Sequence, residues 1–190
     1  GNWRLLYTNA PEITTLAALP LGFQLGEVYQ PLDVAEGILE NQASVKHSLN
    51  LAMGSTRVIA DFRPAALGTL NAAGVRNIAG NRVDVDFQRV VFSLDRLFAA
   101  DLNGRVRKVV APKQDPNLPQ PAVDVTYLDD VLRITRGGDG SLFVLKREGG
   151  PASLLAAGAR RALLQESEER AEKVVSGEGF LNWLRLAIGG

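Results

Sequence analysis

Cysteine is absent from the 190 residues, histidine and methionine occur once each, and the charges cancel, 21 Lys and Arg against 21 Asp and Glu. Without cysteine there is no disulfide, no thiolate nucleophile and no cysteine metal site. With His47 alone, a zinc centre lacks imidazole ligands. A Ser-His-acid arrangement would have to use the same residue, and no Gly-x-Ser-x-Gly elbow accompanies it. Ser48 adjoins His47, but neighbours on a strand face opposite sides. Zero net charge argues against a nucleic-acid binder, which needs a basic footprint. No apolar run approaches the roughly 20 residues that cross a bilayer as a helix. The chain opens at Gly1 directly on a strand-like run, so a targeting segment is expected to have been removed from it.

What is present is enough apolar material, 46% of the chain, for one globular domain with an appendage. The stretch from Asp124 to Arg147 organises it. Val123, Val125 and Tyr127 alternate with polar residues, Leu132 and Ile134 form another alternating row, and Leu142 to Leu145 is continuous apolar. Asp129-Asp130 and Gly137-Gly138-Asp139-Gly140 are turn chemistry. This predicts a three-stranded antiparallel meander. Gly1–Thr8 reads as the first strand, with Trp3, Leu5 and Tyr7 on one face. Further strands are expected at Gly26–Gln30, Val45–Ala52, Arg57–Phe62, Arg82–Gln88 and Arg89–Leu94, with a basic edge at Arg105–Lys113. Pro31 should end or bend its strand. Pro11–Leu19 is a short helix with Asn9 as N-cap. Leu67–Asn81, with three glycines, is expected as a mobile loop, and the proline-rich Gln114–Pro121 as a connection. From Ala152 to Lys173 strong helix formers dominate. Leu154, Leu155, Ala159, Ala162 and Leu163 form an apolar stripe, and the second half of the helix is polar all round.

The segment YLDDVLRITRGGDGSLFVLKR resembles the C-terminal signature of the plastid lipid-associated proteins, the fibrillin family. GNWRLLYT resembles the start of that domain and the Gly-x-Trp opening of lipocalin barrels. LGEVYQPLDVAEGILENQASV is similar to a second family block, in which Gln30, Asp33 and Asn41 match recurring positions. The resemblance covers residues 1–8, about 25–45 and 122–147. It implies a mainly β fold: an antiparallel lipocalin-like β-barrel over residues 1–148, followed by a C-terminal α-helical extension and apolar tail over 149–190.

Strand parity then places Tyr29, Val58, Phe62, Val85, Phe87, Phe92, Val125, Tyr127 and Ile134 on one interior, with Asp84 and Asp86 facing out. An arginine from the late meander is expected over the Trp3 indole, a cation–π contact worth about 0.5–2 kcal/mol. Parity favours Arg136 over Arg133, because Arg136 continues the row of Leu132 and Ile134. Asp129-Asp130 is better explained as a hairpin turn than as an acid/base pair. The Gly137–Gly140 turn lacks the Lys-Ser/Thr of a phosphate loop.

No catalytic constellation stands out, so a non-enzymatic protein is expected. The resemblance implies a plastid protein that binds lipophilic molecules, such as a carotenoid, a prenylquinone or another lipid, or that associates with thylakoid or plastoglobule membranes. The alternative is a structural subunit with a filled barrel, docking on a photosynthetic membrane-protein complex through its tail. That tail presents Phe180, Leu181, Trp183, Leu184, Leu186 and Ile188 within nine residues, about 13 Å as a helix at 1.5 Å per residue. This is too short to span a bilayer of about 30 Å and too uniformly apolar to lie bare in water.

Overall fold

A computed structural model describes residues 1–14, 22–112 and 117–166 of the chain. Its elements run β1 (Asn2–Thr8), α1 (Pro11–Thr14), β2 (Phe23–Asp33), β3 (Ile38–His47), β4 (Ala52–Pro64), β5 (Arg82–Leu97), β6 (Ala100–Val110), β7 (Ala122–Leu128), β8 (Leu132–Gly137), β9 (Leu142–Arg147) and α2 (Ala157–Gln165). The strands pair in the order β4-β3-β2-β1-β9-β8-β7-β5, and β5 pairs back onto β4. Eight antiparallel strands therefore close into a barrel. The expected meander is β7-β8-β9, and β9 pairs with β1 through Trp3 and Arg147. The two ends of the barrel segment are thus neighbours, as closure requires.

β5 is the long seam. One edge carries β4 along most of its length; the other carries β7 at Arg82–Asp84 and β6 from Val90 to Leu97. β6 therefore lies outside the closed ring. Directly paired residues share a face, and the pairings sort the side chains into two layers. On the inner face Leu39, Ala60 and Val85 pack with Leu32, Phe62, Phe87 and Val123. On the outer face Ile59, Val91 and Val109 receive Leu163 of α2, with Leu155 and Leu164 beside it. Full burial of one such leucine stabilises the fold by about 1.5–3 kcal/mol.

Several local expectations change. β2 does not stop at Pro31 but runs to Asp33, with Leu32 pairing Leu39 and the Leu32 amide donating to the Gly1 carbonyl at 2.8 Å. The two strands expected at 82–88 and 89–94 are one strand of 16 residues. It carries a bulge at Gln88, where the pairing steps from Ile59–Arg89 to Ala60–Phe87. Val45–Ala52 is not one strand: Val45–His47 end β3, a turn follows, and Ala52 opens β4. Asn9 does not cap α1. Its side-chain oxygen accepts from the Leu142 amide at 2.7 Å, while the Ala10 carbonyl takes the first helical bonds from Ile13 and Thr14.

The 65–81 loop is pinned by two buried amides. Asn71 holds the Val75 amide, and Asn77 donates to the carbonyls of Ala65 and Ala66. The helix expected from Ala152 begins only at Ala157; residues 150–155 instead form a strap over the outside of β2, β3 and β4, Gly150 against Tyr29, the Ser153 carbonyl on Gln42 and Arg57, and the Leu155 amide on Glu40. Residues after 166 lie outside the described segments, and with them the remainder of the expected helix.

Candidate functional site

The inner wall is built by the even residues of β4 and their partners. Val58 pairs Asn41 and Val90, Phe62 pairs Val85, Ala60 pairs Phe87, and Thr56 pairs Phe92. Val125 joins this face through Thr135. The structure thus brings Val58, Phe62, Val85, Phe87, Phe92 and Val125 together on the inner face. Asp84 and Asp86, of opposite parity, stand on the outer face, Asp84 within 4.0 Å of Arg63.

Three expected lining residues stand elsewhere. Tyr29 pairs Arg4 and Gln42 on the outer face and is buried there beneath the strap. A Cβ at Gly150 would come within 2.8 Å of its ring, so only glycine allows that approach. The inner position of this part of β2 belongs to Gln30 instead. Tyr127 is half exposed, because a bulge at Thr126 reverses the parity of β7 between Val125 and Tyr127. Its hydroxyl donates to Asp129 Oδ2 at 2.6 Å. Ile134 pairs Tyr127 and Val144 and faces outward with them. The apolar row Leu132–Ile134 is thus the outer face of β8.

That parity decides the arginine. Arg133, not Arg136, lies over Trp3, its guanidinium carbon 4.8 Å from the ring centre. Arg136 is exposed and donates to the Gly140 carbonyl at 3.2 Å, bracing the hairpin turn. Arg147 also reaches Trp3, at 4.8 Å. Trp3 is 3% exposed and Arg133 7%.

A short polar chain runs across the inner wall from this point. Arg133 Nη2 donates to Gln30 Oε1, and Gln30 Nε2 donates to Asn41 Oδ1 at 2.7 Å. Arg133 Nε is buried with no hydrogen-bond partner. Burial pushes the Arg133 guanidinium down to about 10, so it remains a cation at neutral pH. In the sequence, Gln30 and Asn41 are singled out by the resemblance to the second family block; Arg133 stands second to Arg136 there, because the apolar row of Leu132 and Ile134 reads as the inner one.

The strap outside has its own polar anchor. Glu40, 1% exposed, accepts from the Leu155 amide at 2.9 Å, from Gln42 Nε2 at 2.9 Å and from Arg57. Arg57 and Gln42 also donate to the Ser153 carbonyl. At the opposite end from Trp3, the β3–β4 and β5–β6 hairpin tips touch. The Phe98 amide donates to the Leu51 carbonyl at 2.6 Å, and Arg96 Nη2 donates to Asn50 Oδ1. Leu49, Leu51, Leu97 and Phe98 are exposed there. The expected docking residues Phe180, Leu181, Trp183, Leu184, Leu186 and Ile188 lie outside the described residues.

A closed eight-stranded antiparallel barrel with an apolar inner wall and an arginine packed on an N-terminal tryptophan defines a lipocalin-like β-barrel protein. The PAP_fibrillin family model matches residues 1–146, and the chain belongs to this family of plastid lipid-associated proteins. Among curated proteins it is similar to a probable plastid-lipid-associated protein 3, chloroplastic, of Oryza sativa subsp. japonica, 27% identical over 80% of this chain and 46% of the relative. It is 28% identical to plastoglobulin-1, chloroplastic, of Pisum sativum, over 78% of this chain and 47% of the relative. Plastid lipid-associated protein 3, chloroplastic, of Brassica campestris matches at 27% over the same shares. The chain spans about half the length of the curated relatives it matches. No solved structure matches it. Family and relatives place the protein in the plastid.

Proposed function

We propose that this chain is a non-catalytic carrier of a lipophilic molecule, a carotenoid, prenylquinone or other lipid, held against the inner wall of its barrel. The observation that carries this reading is the inner row of Leu32, Leu39, Phe62, Val85, Phe87 and Val123 inside a closed ring. A barrel of this size suits one small ligand. The test is mass spectrometry of lipids co-purified with the native protein. A stoichiometric prenyl or acyl lipid supports the reading. A lipid-free protein that co-purifies with a thylakoid membrane-protein complex favours the subunit role instead.

A second reading, association with a plastoglobule or thylakoid surface, is favoured by the paired hairpin tips. Four apolar side chains stand exposed there, beside Lys46 and the paired Arg96 and Asp101. Exposed apolar tips suit the boundary between acyl chains and headgroups. Flotation with vesicles of anionic and neutral lipid tests it: binding to neither sinks this reading and leaves the ligand reading standing.

A further inference from the structure

Three arginines of this protein, Arg4, Arg82 and Arg107, meet a carboxylate in the same way. Arg4 gives its Nε and Nη2 edge to Glu148 at 2.7 and 3.0 Å. Arg82 gives the same edge to Asp124 at 2.6 and 2.8 Å, and Arg107 gives it to Glu166 at 3.4 and 2.6 Å. This is the bidentate fork that guanidinium geometry favours. Arg133 differs from these three, as does the less buried Arg96, whose Nη2 meets the Asn50 amide oxygen and whose Nε is likewise unpartnered. Arg133 is nearly as buried as Arg82, yet no carboxylate among the described residues forms an ion pair with it. Of the same edge, Nη2 meets the neutral amide oxygen of Gln30 and Nε meets nothing.

A buried cation without an anion is costly. The Trp3 π face returns only part of that cost. Arg147 adds a second positive charge at the same ring, and its own carboxylate neighbour, Asp130 at 3.8 Å, is wholly in solvent. Gln30 has no second acceptor atom to offer Arg133, because a side-chain amide carries one acceptor oxygen and its nitrogen donates to Asn41. Burial lowers the affinity of Arg133 for its proton with no opposing negative charge, as expected of a site lacking its counter-ion.

We propose that Arg133 and Gln30 form an anion site on the inner wall that takes the carboxylate of a long-chain acid, its hydrocarbon lying along the apolar wall. The proposal rests on the carrier reading above. The carboxylate would accept from Nε and the adjacent Nη, completing the fork that Arg4, Arg82 and Arg107 complete within the chain. The preference for an acyl chain over a small anion follows from the surroundings. Arg133 pairs Leu145, and Leu145 pairs Leu5, so a small hydrated anion would lose its water there and gain no apolar contact, whereas an acyl chain gains about 0.8 kcal/mol per buried methylene.

The test is calorimetric titration of the full chain with oleate, oleyl alcohol, acetate and inorganic phosphate, using wild type, Arg133→Met and Gln30→Glu. Oleate should bind wild type about tenfold or more tightly than oleyl alcohol, the size of one charge-assisted interaction. Arg133→Met should abolish that preference and leave the alcohol affinity in place. Gln30→Glu should also abolish it, by giving Arg133 a carboxylate within the chain. Gln30→Glu keeps both Arg133 and Trp3, so it decides the matter even if Arg133→Met fails to fold. Equal binding of acid and alcohol to wild type overturns the anion site and leaves the carrier reading intact. Survival of the preference in both variants overturns it as well. Acetate or phosphate binding as tightly as oleate overturns the long-chain assignment. Binding of neither long-chain probe overturns the carrier reading together with this one.

Discussion

The Arg133 guanidinium rests 4.8 Å from the centre of the Trp3 ring, joining the first strand of the barrel to the middle strand of its closing meander. Because Trp3 is 3% exposed and also contacts Arg147, it is a core residue of the closed end. Trp3→Ala should cost about 3–5 kcal/mol. Urea denaturation of the variant measures it, and a loss below about 1 kcal/mol, the scale of a surface change, would mean the tryptophan does not help to hold the barrel closed.

Glu40 holds the strap through the Leu155 amide and through Arg57 and Gln42, which share the Ser153 carbonyl. Glu40→Gln keeps the shape but turns one acceptor oxygen into a donor facing donors. The expected loss is about 1–3 kcal/mol, and the Leu155 amide should exchange its hydrogen faster than amides within β3. Unchanged protection of that amide would mean that α2 alone secures the strap.

Glu148 provides a pH signature. Its hydrogen bond from Arg4, then that from Lys146, depresses its carboxyl from the ordinary 4.5 to about 2. The group is more acidic folded than unfolded, so its contribution is fully present above about pH 4.5, diminishes as pH falls, and is gone below about 2. The melting temperatures of wild type and Glu148→Gln should therefore differ at pH 6 and converge as pH is lowered through that window. A constant difference across it would show that the Arg4–Glu148 pair does not report on folding.

Phe98 occupies left-handed backbone, φ 52°, and the residue is 66% exposed. A bulky residue there is strained, whereas asparagine tolerates the conformation. Phe98→Asn should stabilise the protein by up to about 1 kcal/mol and at the same time weaken flotation with vesicles. A variant that is more stable and floats as well as wild type would separate the hairpin tip from lipid contact.

Alternation at period two was enough to read the meander from Asp124 to Arg147 and the inner row Val85–Phe87, because a strand half in water must segregate its side chains. The Asp129-Asp130 turn was legible for a similar local reason: the Asp129 carboxylate takes the Val131 and Leu132 amides at 2.7 and 2.6 Å. The sequence alone also carried the family motifs at both ends of the barrel. What it did not contain was which face of each strand looks inward. A bulge at Thr126 turned Tyr127 out, and a bulge at Gln88 joined two expected strands into one. Tyr29 is apolar in character yet lies outside, because the strap at Gly150 makes a second buried layer there. Arg133 is inside because the closure of β9 onto β1 fixes the face of β8, and only closure brings residues 3, 30, 133 and 147 together. Parity within a strand is local; the assignment of that parity to core or solvent is a property of the closed sheet.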